Sequence, residues 1–331
     1  MKAAIVTRYG SPDVVKICEV PTPAPQAGEV LIRVRATTVN RTDCGELRPH
    51  PFFARLFYGL RRPHRTIFGM DVAGEVEAVG VGTLSFKPGE RVFGMCPSRR
   101  NGAQAEYVCV PEAGPIAHLP PDIPFDEAVL CEGAFYANGV LTKLRLGPGH
   151  EILIYGASGA IGTAAVQLAK FRGAQVTAVA VTRHLELVKS LGADRVIDAA
   201  DFPRIEGRFD FVLDAVGKIS FFRCRRLLKP GGIFAATDMG PWMQDVPLTI
   251  WSLVTRSNRV VIPLPARGSA RTFVEFLKAR MEAGQYRAVI DRKYKLDAIA
   301  DAYRYVETGQ KAGIVLIEVG EGSIPSAQND N

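Results

Sequence analysis

Between positions 152 and 169 the chain runs eighteen residues without a charge, nominally enough to reach across a bilayer. Three glycines and the polar residues Ser158, Thr163 and Gln167 interrupt the run. It therefore reads as a strand over 152–155, a tight turn, and a helix over 161–171. No other stretch constrains the fold as strongly. A glycine-rich turn between a strand and a helix lets the backbone approach a pyrophosphate, whose charge settles on the unpaired N–H groups of the helix start. Gly156, Ala157, Ser158, Gly159, Ala160, Ile161 and Gly162 are the candidate cradle. Glycine triplets also make ordinary tight turns, so the surroundings decide.

Those surroundings repeat one rhythm. Apolar strands over 175–181, 209–214 and 233–237 alternate with helical stretches over 185–191 and 221–228. Alternation of this kind implies an α/β fold, a parallel sheet with helices on both faces. Upstream, segments 30–35 and 72–79 alternate or run in β-branched residues between Pro- and Gly-rich stretches, so the N-terminal third reads as β. Downstream, a helix over 272–283 and a helical stretch over 294–308 lead to a strand over 314–319. At 331 residues the chain has room for two domains of roughly 100–200 residues each. Its first twenty residues lack the apolar run and cleavage site of a secretory signal. The six cysteines show no CxxC spacing. Free thiols in the cytoplasm are expected.

The second strand of the repeat bears on which dinucleotide would fit. A protein selecting NAD commonly carries an acid there, roughly 20 residues after the glycines, to hold the ribose 2′-OH. Between Ala174 and Leu185 this chain has none, and the strand runs out in Thr182, Arg183 and His184. An acid would repel a 2′-phosphate, whereas a guanidinium pairs with it. NADPH (NADP) is the expected cofactor; the other reading makes Arg183 a solvated residue at a helix start.

The segments NRTDCGE (40–46), GMDVAGEVEAVGVGTLSFKPGERVFG (69–94), AEYVCVPE (105–112), GASGAIGTAAVQLAK (156–170), LGADRVID (191–198) and FVLDAVG (211–217) together resemble the medium-chain dehydrogenase/reductase superfamily. Its zinc-independent, quinone oxidoreductase-like branch is the nearest match. The resemblance implies a GroES-like, β-rich catalytic domain made of residues 1–123 and 262–331. A Rossmann NADP-binding domain, with a doubly wound parallel sheet, would occupy 124–261. The cofactor would lie in the cleft between them, and a homodimer would form through the Rossmann sheet. Asn40 and Asp43 would line the nicotinamide end with Thr42 beside them, although Asn and Asp also make turns. Tyr136 stands where the family usually has a threonine, as a phenol near the nicotinamide or as a packed aromatic. Two further departures are Gly45, in place of a tyrosine that quinone reductases often carry, and Ala199, in place of an aromatic near the 2′-phosphate.

Zinc-dependent relatives surround a catalytic zinc with a Cys, a His and a second Cys; Asn40, Met70 and Glu132 align with those positions. Zinc catalysis needs three good protein ligands and an open position, so no metal is expected. A site built from Cys44, His64 and Cys131 is the remaining metal reading. Without a Lewis acid, the expected reaction is hydride transfer from NADPH to an α,β-unsaturated carbonyl or a quinone. Such small apolar acceptors carry the charge to a distant oxygen. Alternatives are a zinc-free alcohol or aldehyde dehydrogenase of a biosynthetic pathway, and a non-catalytic NADPH-binding relative with a regulatory or RNA-binding role.

The formal net charge of +7 is mostly local. From Leu47 to Met70 there is no acid, but there are five arginines: Arg48, Arg55, Arg61, Arg62 and Arg65. Phe52, Phe53, Leu56, Phe57, Tyr58 and Leu60 share the stretch. Lying between two catalytic motifs, segment 48–65 is expected to form a short helical lid over an apolar acceptor pocket. A lobe packed on the domain and a site for a membrane surface or anionic partner are the other readings. The segment lacks the interleaved aromatic and glycine pattern of an RNA-recognition sheet, so no nucleic-acid partner is expected.

Overall fold

The computed structural model describes residues 1–49, 54–96, 102–238, 245–254, 260–262 and 269–320. An antiparallel pair, β1 (Lys2–Ile5) and β2 (Lys16–Glu19), opens the chain. The eleven-residue strand β3 (Glu29–Val39) follows, then α1 (Arg41–Leu47), α2 (Arg55–Tyr58), β4 (Asp71–Val79), β5 (Arg91–Met95), β6 (Tyr107–Pro111) and β7 (Ile116–His118). Helices α3 (Phe125–Ala128) and α4 (Cys131–Lys143) lead into the alternating part. It comprises β8 (Glu151–Tyr155), α5 (Ala160–Phe171), β9 (Gln175–Ala180), α6 (Leu185–Ser190), β10 (Arg195–Asp198) and β11 (Phe209–Asp214), then α7 (Phe221–Cys224), β12 (Leu228–Ala236), α8 (Asp245–Val254) and β13 (Val260–Val261). Last come α9 (Ser269–Glu282), β14 (Ile290–Lys295), α10 (Ile299–Glu307) and β15 (Ile314–Glu318).

Strands β8 to β13 form a six-stranded sheet in the order β10-β9-β8-β11-β12-β13, with every pairing parallel. This is the doubly wound order. The chain leaves the middle of the sheet first one way and then the other, and opens a crevice at the carboxyl ends of β8 and β11. Both strands are near-continuous apolar runs, EILIY and FDFVLD, as burial on two faces requires. Ile152 and Ile154 pack into one cluster with α4, α5 and Phe273, Val274 and Leu277 of α9. Leu153 and Val212 face the other way, among Phe202, Phe209, Phe221 and Phe234.

Strand β3 is the hub of a seven-stranded, mostly antiparallel sheet ordered β14-β15-β3-β4-β5-β7, with β6 also on β3. The last strands of the chain therefore complete the first sheet. Tyr303 of α10, with no exposed surface, fastens that closure. Its phenol donates to Gln104 Oε1 at 2.8 Å, and Gln104 Nε2 donates to the Thr38 carbonyl at 3.0 Å, at the end of β3.

Some elements differ from the sequence expectation. Residues 294–298, expected to be helical, are the end of β14 and a 3-10 turn, because Tyr294 and Lys295 pair with Ile317 and Glu318 of β15. A sheet neighbour satisfies their backbone groups more fully than one extra helical turn would. The helix expected over 221–228 stops at Cys224 and tightens to 3-10 over Arg225–Leu227, since Leu228 must already pair with Phe209. In the basic segment, Phe52 and Phe53 lie outside the described residues. The described part is the single turn α2, with Leu56 and Leu60 exposed and Tyr58 half-buried. Among the described residues no helix is long and apolar enough to cross a membrane.

Replacing Tyr303 with Phe should strand the Gln104 acceptor in the core. A loss of ~1–3 kcal/mol in urea unfolding is expected, the cost of one buried unsatisfied group. A change of no more than a few tenths would show that the pair does not fasten the sheet.

Candidate active site

The glycine turn forms at the topological switch point. Strand β8 ends at Tyr155, Gly156 turns the chain with φ +77°, and Gly159 caps α5 in an extended conformation. The Thr163 N–H donates to the Gly159 carbonyl at 2.8 Å, which leaves the N–H groups of Ala160, Ile161 and Gly162 without an acceptor inside the helix. A Cβ at Gly162 would sit 2.1 Å from the Gly156 carbonyl oxygen, so only glycine lets α5 approach the turn. A Cβ at Gly159 would meet nothing nearer than 3.6 Å, so that side of the turn is open. Ala157 is buried, with its N–H on the Val179 carbonyl at 3.0 Å. Ser158 receives the Gly313 N–H on its carbonyl at 2.7 Å. Free donors and open space on one side fit a pyrophosphate.

Thr182, Arg183 and His184 form a 3-10 turn just beyond β9. Arg183 is exposed; its Nη2 donates to the Gln310 carbonyl at 2.8 Å and its Nε to His184 Nε2 at 3.2 Å. Burial, and then the Arg183 charge, hold the His184 imidazole below its usual range, so it stays neutral. The Thr182 hydroxyl donates to Asp198 Oδ2 at 2.5 Å. No acid stands on the second strand, yet β10 pairs with β9 in a register that sets Asp198 opposite Ala180 and delivers one from the side. Hydrogen bonds from Thr182 and the Ala200 N–H keep that carboxyl below its ordinary range, hence ionised.

At the far end of the crevice, Asn40 caps α1 where β3 runs out. Its Nδ2 donates to Thr38 Oγ1 at 2.9 Å and Glu132 Oε2 at 2.8 Å, and reaches Asp71 Oδ2 at 3.4 Å. Its Oδ1 is buried without a partner, an acceptor that a ligand amide such as a carboxamide would satisfy. Asp43 reaches back to the Asn40 N–H at 2.8 Å and accepts the Gly69 N–H at 3.1 Å. Both its oxygens are thus engaged by backbone, and the side chain is buried. Thr42 lies beside both the Glu132 carboxyl and the Tyr136 phenol, near enough to its hydroxyl for each to be held lower than burial alone would set it. Asn40, Thr42, Asp43 and Tyr136 therefore converge on Glu132, at the start of α4.

Asp71, Glu132 and Thr38 join this cluster, although sequence reasoning gave them no role as bases or acids. Asp71 Oδ1 accepts the Glu132 N–H at 2.8 Å, and Oδ2 accepts the Thr38 hydroxyl at 2.9 Å. Burial, reinforced by the Glu132 charge, pushes the Asp71 carboxyl up to about 7 and Asp43 well above its ordinary range. Burial raises Glu132 as well, against its hydrogen bonds from Thr42 and Asn40. Lys311 is the nearby cation: burial pulls its ammonium down to about 8 while Glu132 opposes that shift. Among the described residues no three His, Cys, Asp or Glu side chains are placed to hold a metal ion.

Two family models match the chain: an alcohol dehydrogenase GroES-like domain over residues 26–121 and a zinc-binding dehydrogenase over residues 191–317. A chloroplastic quinone-oxidoreductase homolog of Spinacia oleracea is 32% identical over 93% of the chain and 95% of its own length. A chloroplastic NADPH-dependent alkenal/one oxidoreductase of Arabidopsis thaliana is 29% identical over 96% of the chain and 79% of its own length. Among solved structures, the quinone oxidoreductase from Coxiella burnetii superposes with a TM-score of 0.82, covering 97% of this chain and 99% of that one at 24% identity, a likeness of fold.

The raised carboxyls make stability pH-dependent. Asp71 ionises near 3.9 in an unfolded chain and near 7 in the fold, so between those values the native state holds the extra proton. Its contribution is complete below about pH 4 and is lost as the pH rises to about 7. Asp71→Asn should remove on the order of 2 kcal/mol of that decline between about pH 5 and about pH 8 in urea titrations. An unchanged slope would place the titration elsewhere.

Proposed function

Since the chain belongs to the quinone oxidoreductase-like branch of the medium-chain dehydrogenase/reductase family, we propose that it is an NADPH-dependent reductase of α,β-unsaturated carbonyls or quinones that works without a metal. The observation that carries the reading is the Asn40–Glu132 hydrogen bond, at 2.8 Å. Two of the three positions where zinc-dependent relatives place ligands are engaged with each other. The third, Met70, packs against the apolar cluster around α4. Neither Asn40 nor Met70 is a usual zinc ligand, which leaves Glu132 alone of the three.

A reduced nicotinamide supplies the hydride when bound. The first turn of α5 holds the pyrophosphate, and the buried Asn40 Oδ1 accepts from the amide at the other end. Asp43 positions Asn40 by gripping its backbone. The acceptor spreads the incoming charge to its distant oxygen, where a proton must follow. Glu132, its pKa raised by burial, reaches that region through the hydroxyls of Thr42 and Tyr136. Arg183 supplies the countercharge for a 2′-phosphate and must outweigh the Asp198 carboxylate held by Thr182; the NADPH-dependent Arabidopsis relative supports the same cofactor. None of the six cysteines is in a disulfide, which suits a reducing compartment such as the cytoplasm. Among the described residues β13 is the edge strand of the parallel sheet, the side on which this reading puts a second copy of the chain.

Steady NADPH oxidation should appear with enones or quinones and be absent with saturated aldehydes; turnover confined to aldehydes would overturn the reading. Prolonged chelation should leave the rate unchanged, and a metal-restored rate would contradict the metal-free proposal. Arg183→Ala should weaken NADPH by about 1.5–3 kcal/mol, roughly ten- to a hundredfold in KM, and leave NADH nearly untouched. Equal effects on the two cofactors would remove Arg183 from the phosphate site.

A further inference from the structure

The basic segment ends in an unusual surface. Leu56 is 68% exposed and Leu60 58%, the first within α2 and the second just beyond its Gly59 cap. Directly behind them Arg61 and Arg62 are exposed, with no ion pair or hydrogen bond among the described residues. No acid lies between Leu47 and Met70 to neutralise them. The preceding acid, Glu46, is committed to Arg65 through two hydrogen bonds of 2.6 and 2.8 Å.

The base of this tip is held firmly. The Tyr9 hydroxyl donates to the Gly59 carbonyl at 2.6 Å, and the Arg55 guanidinium stacks 5.0 Å from the Tyr9 ring centre. The His64 N–H closes the loop on the Tyr58 carbonyl at 2.8 Å. Two leucines and two unpaired arginines therefore project from an anchored loop.

From this arrangement we propose that Leu56, Leu60, Arg61 and Arg62 form a prong that docks the protein reversibly on an anionic lipid surface. Leucine side chains enter the headgroup boundary, and guanidinium groups pair with lipid phosphate. Neither signal suffices alone. Two together give peripheral, salt-sensitive attachment. A single-stranded nucleic acid would want exposed aromatic platforms, whereas among the described side chains of this loop the exposed apolar ones, Leu56 and Leu60, are aliphatic. The proposal does not depend on the reaction assigned above. It would bring an apolar acceptor dissolved in a bilayer toward the site, because Arg65 at the end of the same loop is tied to Glu46 of α1, the helix that Asn40 caps.

The test is cosedimentation of the full chain with vesicles of phosphatidylcholine alone and of phosphatidylcholine mixed with phosphatidylglycerol. The wild type should sediment only with the anionic vesicles and be released at about 1 M salt, where the screening length is ~3 Å. Arg61→Gln/Arg62→Gln and Leu56→Ser/Leu60→Ser should each lower binding at least tenfold, with circular dichroism and melting temperature unchanged. Absence of wild-type binding would overturn the proposal, as would equal binding to neutral vesicles or full binding by both variants. So would capture by single-stranded RNA in place of vesicles.

Discussion

The side-chain amide of Asn40 is the joint on which the molecule depends. Through one nitrogen it touches Thr38 at the end of β3, Asp71 at the start of β4 and Glu132 at the start of α4. The first two belong to the antiparallel sheet; the third begins the helix that packs on α5 and the parallel sheet. Three carboxyls gathered in a buried space would repel one another if all were ionised. Burial raises them toward the neutral form instead, and the hydrogen bonds from the Asn40 amide, the Thr38 hydroxyl and three backbone N–H groups absorb the charge that remains. A polar network of this kind tolerates little displacement, because each partner that moves leaves another buried group unpaired.

A second connection crosses the crevice at its other wall. The residues entering β15 touch the Gly-rich turn through the Gly313–Ser158 hydrogen bond and a parallel bridge from Gly313 to Gly159. Three residues earlier, the Gln310 carbonyl receives Arg183. Gly313 can occupy this place only without a side chain: its φ is +66°, and a Cβ would lie 2.0 Å from the Val289 carbonyl oxygen. One short strap, continuous with the antiparallel sheet, therefore contacts both the glycine turn proposed for the pyrophosphate and the arginine proposed for the 2′-phosphate. Any ligand drawing Arg183 away from Gln310 acts on the same strap that carries Lys311 toward Glu132.

Local chemistry was legible in the sequence; spatial convergence was not. The strand–turn–helix over 152–171 could be read directly, because burial on both faces writes strands as apolar runs and the turn must be glycine where α5 meets Gly156. The N-terminal β texture was equally visible. Residues 294–298 misled, since a helical pattern carried no sign that β15 would come alongside as a strand partner. Asn40, Thr42 and Asp43 stood out through their motif, but Asp71 lay inside another quoted motif without a role. Only the pairing of β3 with β4 brings its carboxyl under Asn40. Asp198 was hidden in the same way, because scanning along one strand cannot see an acid delivered by its neighbour.

These two views together explain how chemistry usually done by a metal can be approached by side chains alone. A zinc site needs anionic or imidazole ligands facing an open position. Here the corresponding positions turn inward: Asn40 binds Glu132, and Met70 packs. On the proposed reading, the need for charge stabilisation passes to the acceptor itself, which delocalises the electron pair, and the remaining need is a proton. Ordinary carboxyls are ionised near neutral pH and cannot give one. Burial raises Glu132, and burial with the Glu132 charge raises Asp43 and Asp71, so this group holds protons more readily than exposed carboxyls do. Thr42 stands beside both Glu132 and the Tyr136 phenol. The same desolvation that makes the cluster costly to fold is what fits it for proton delivery, and for this reason the stability and the proposed activity should share a pH dependence.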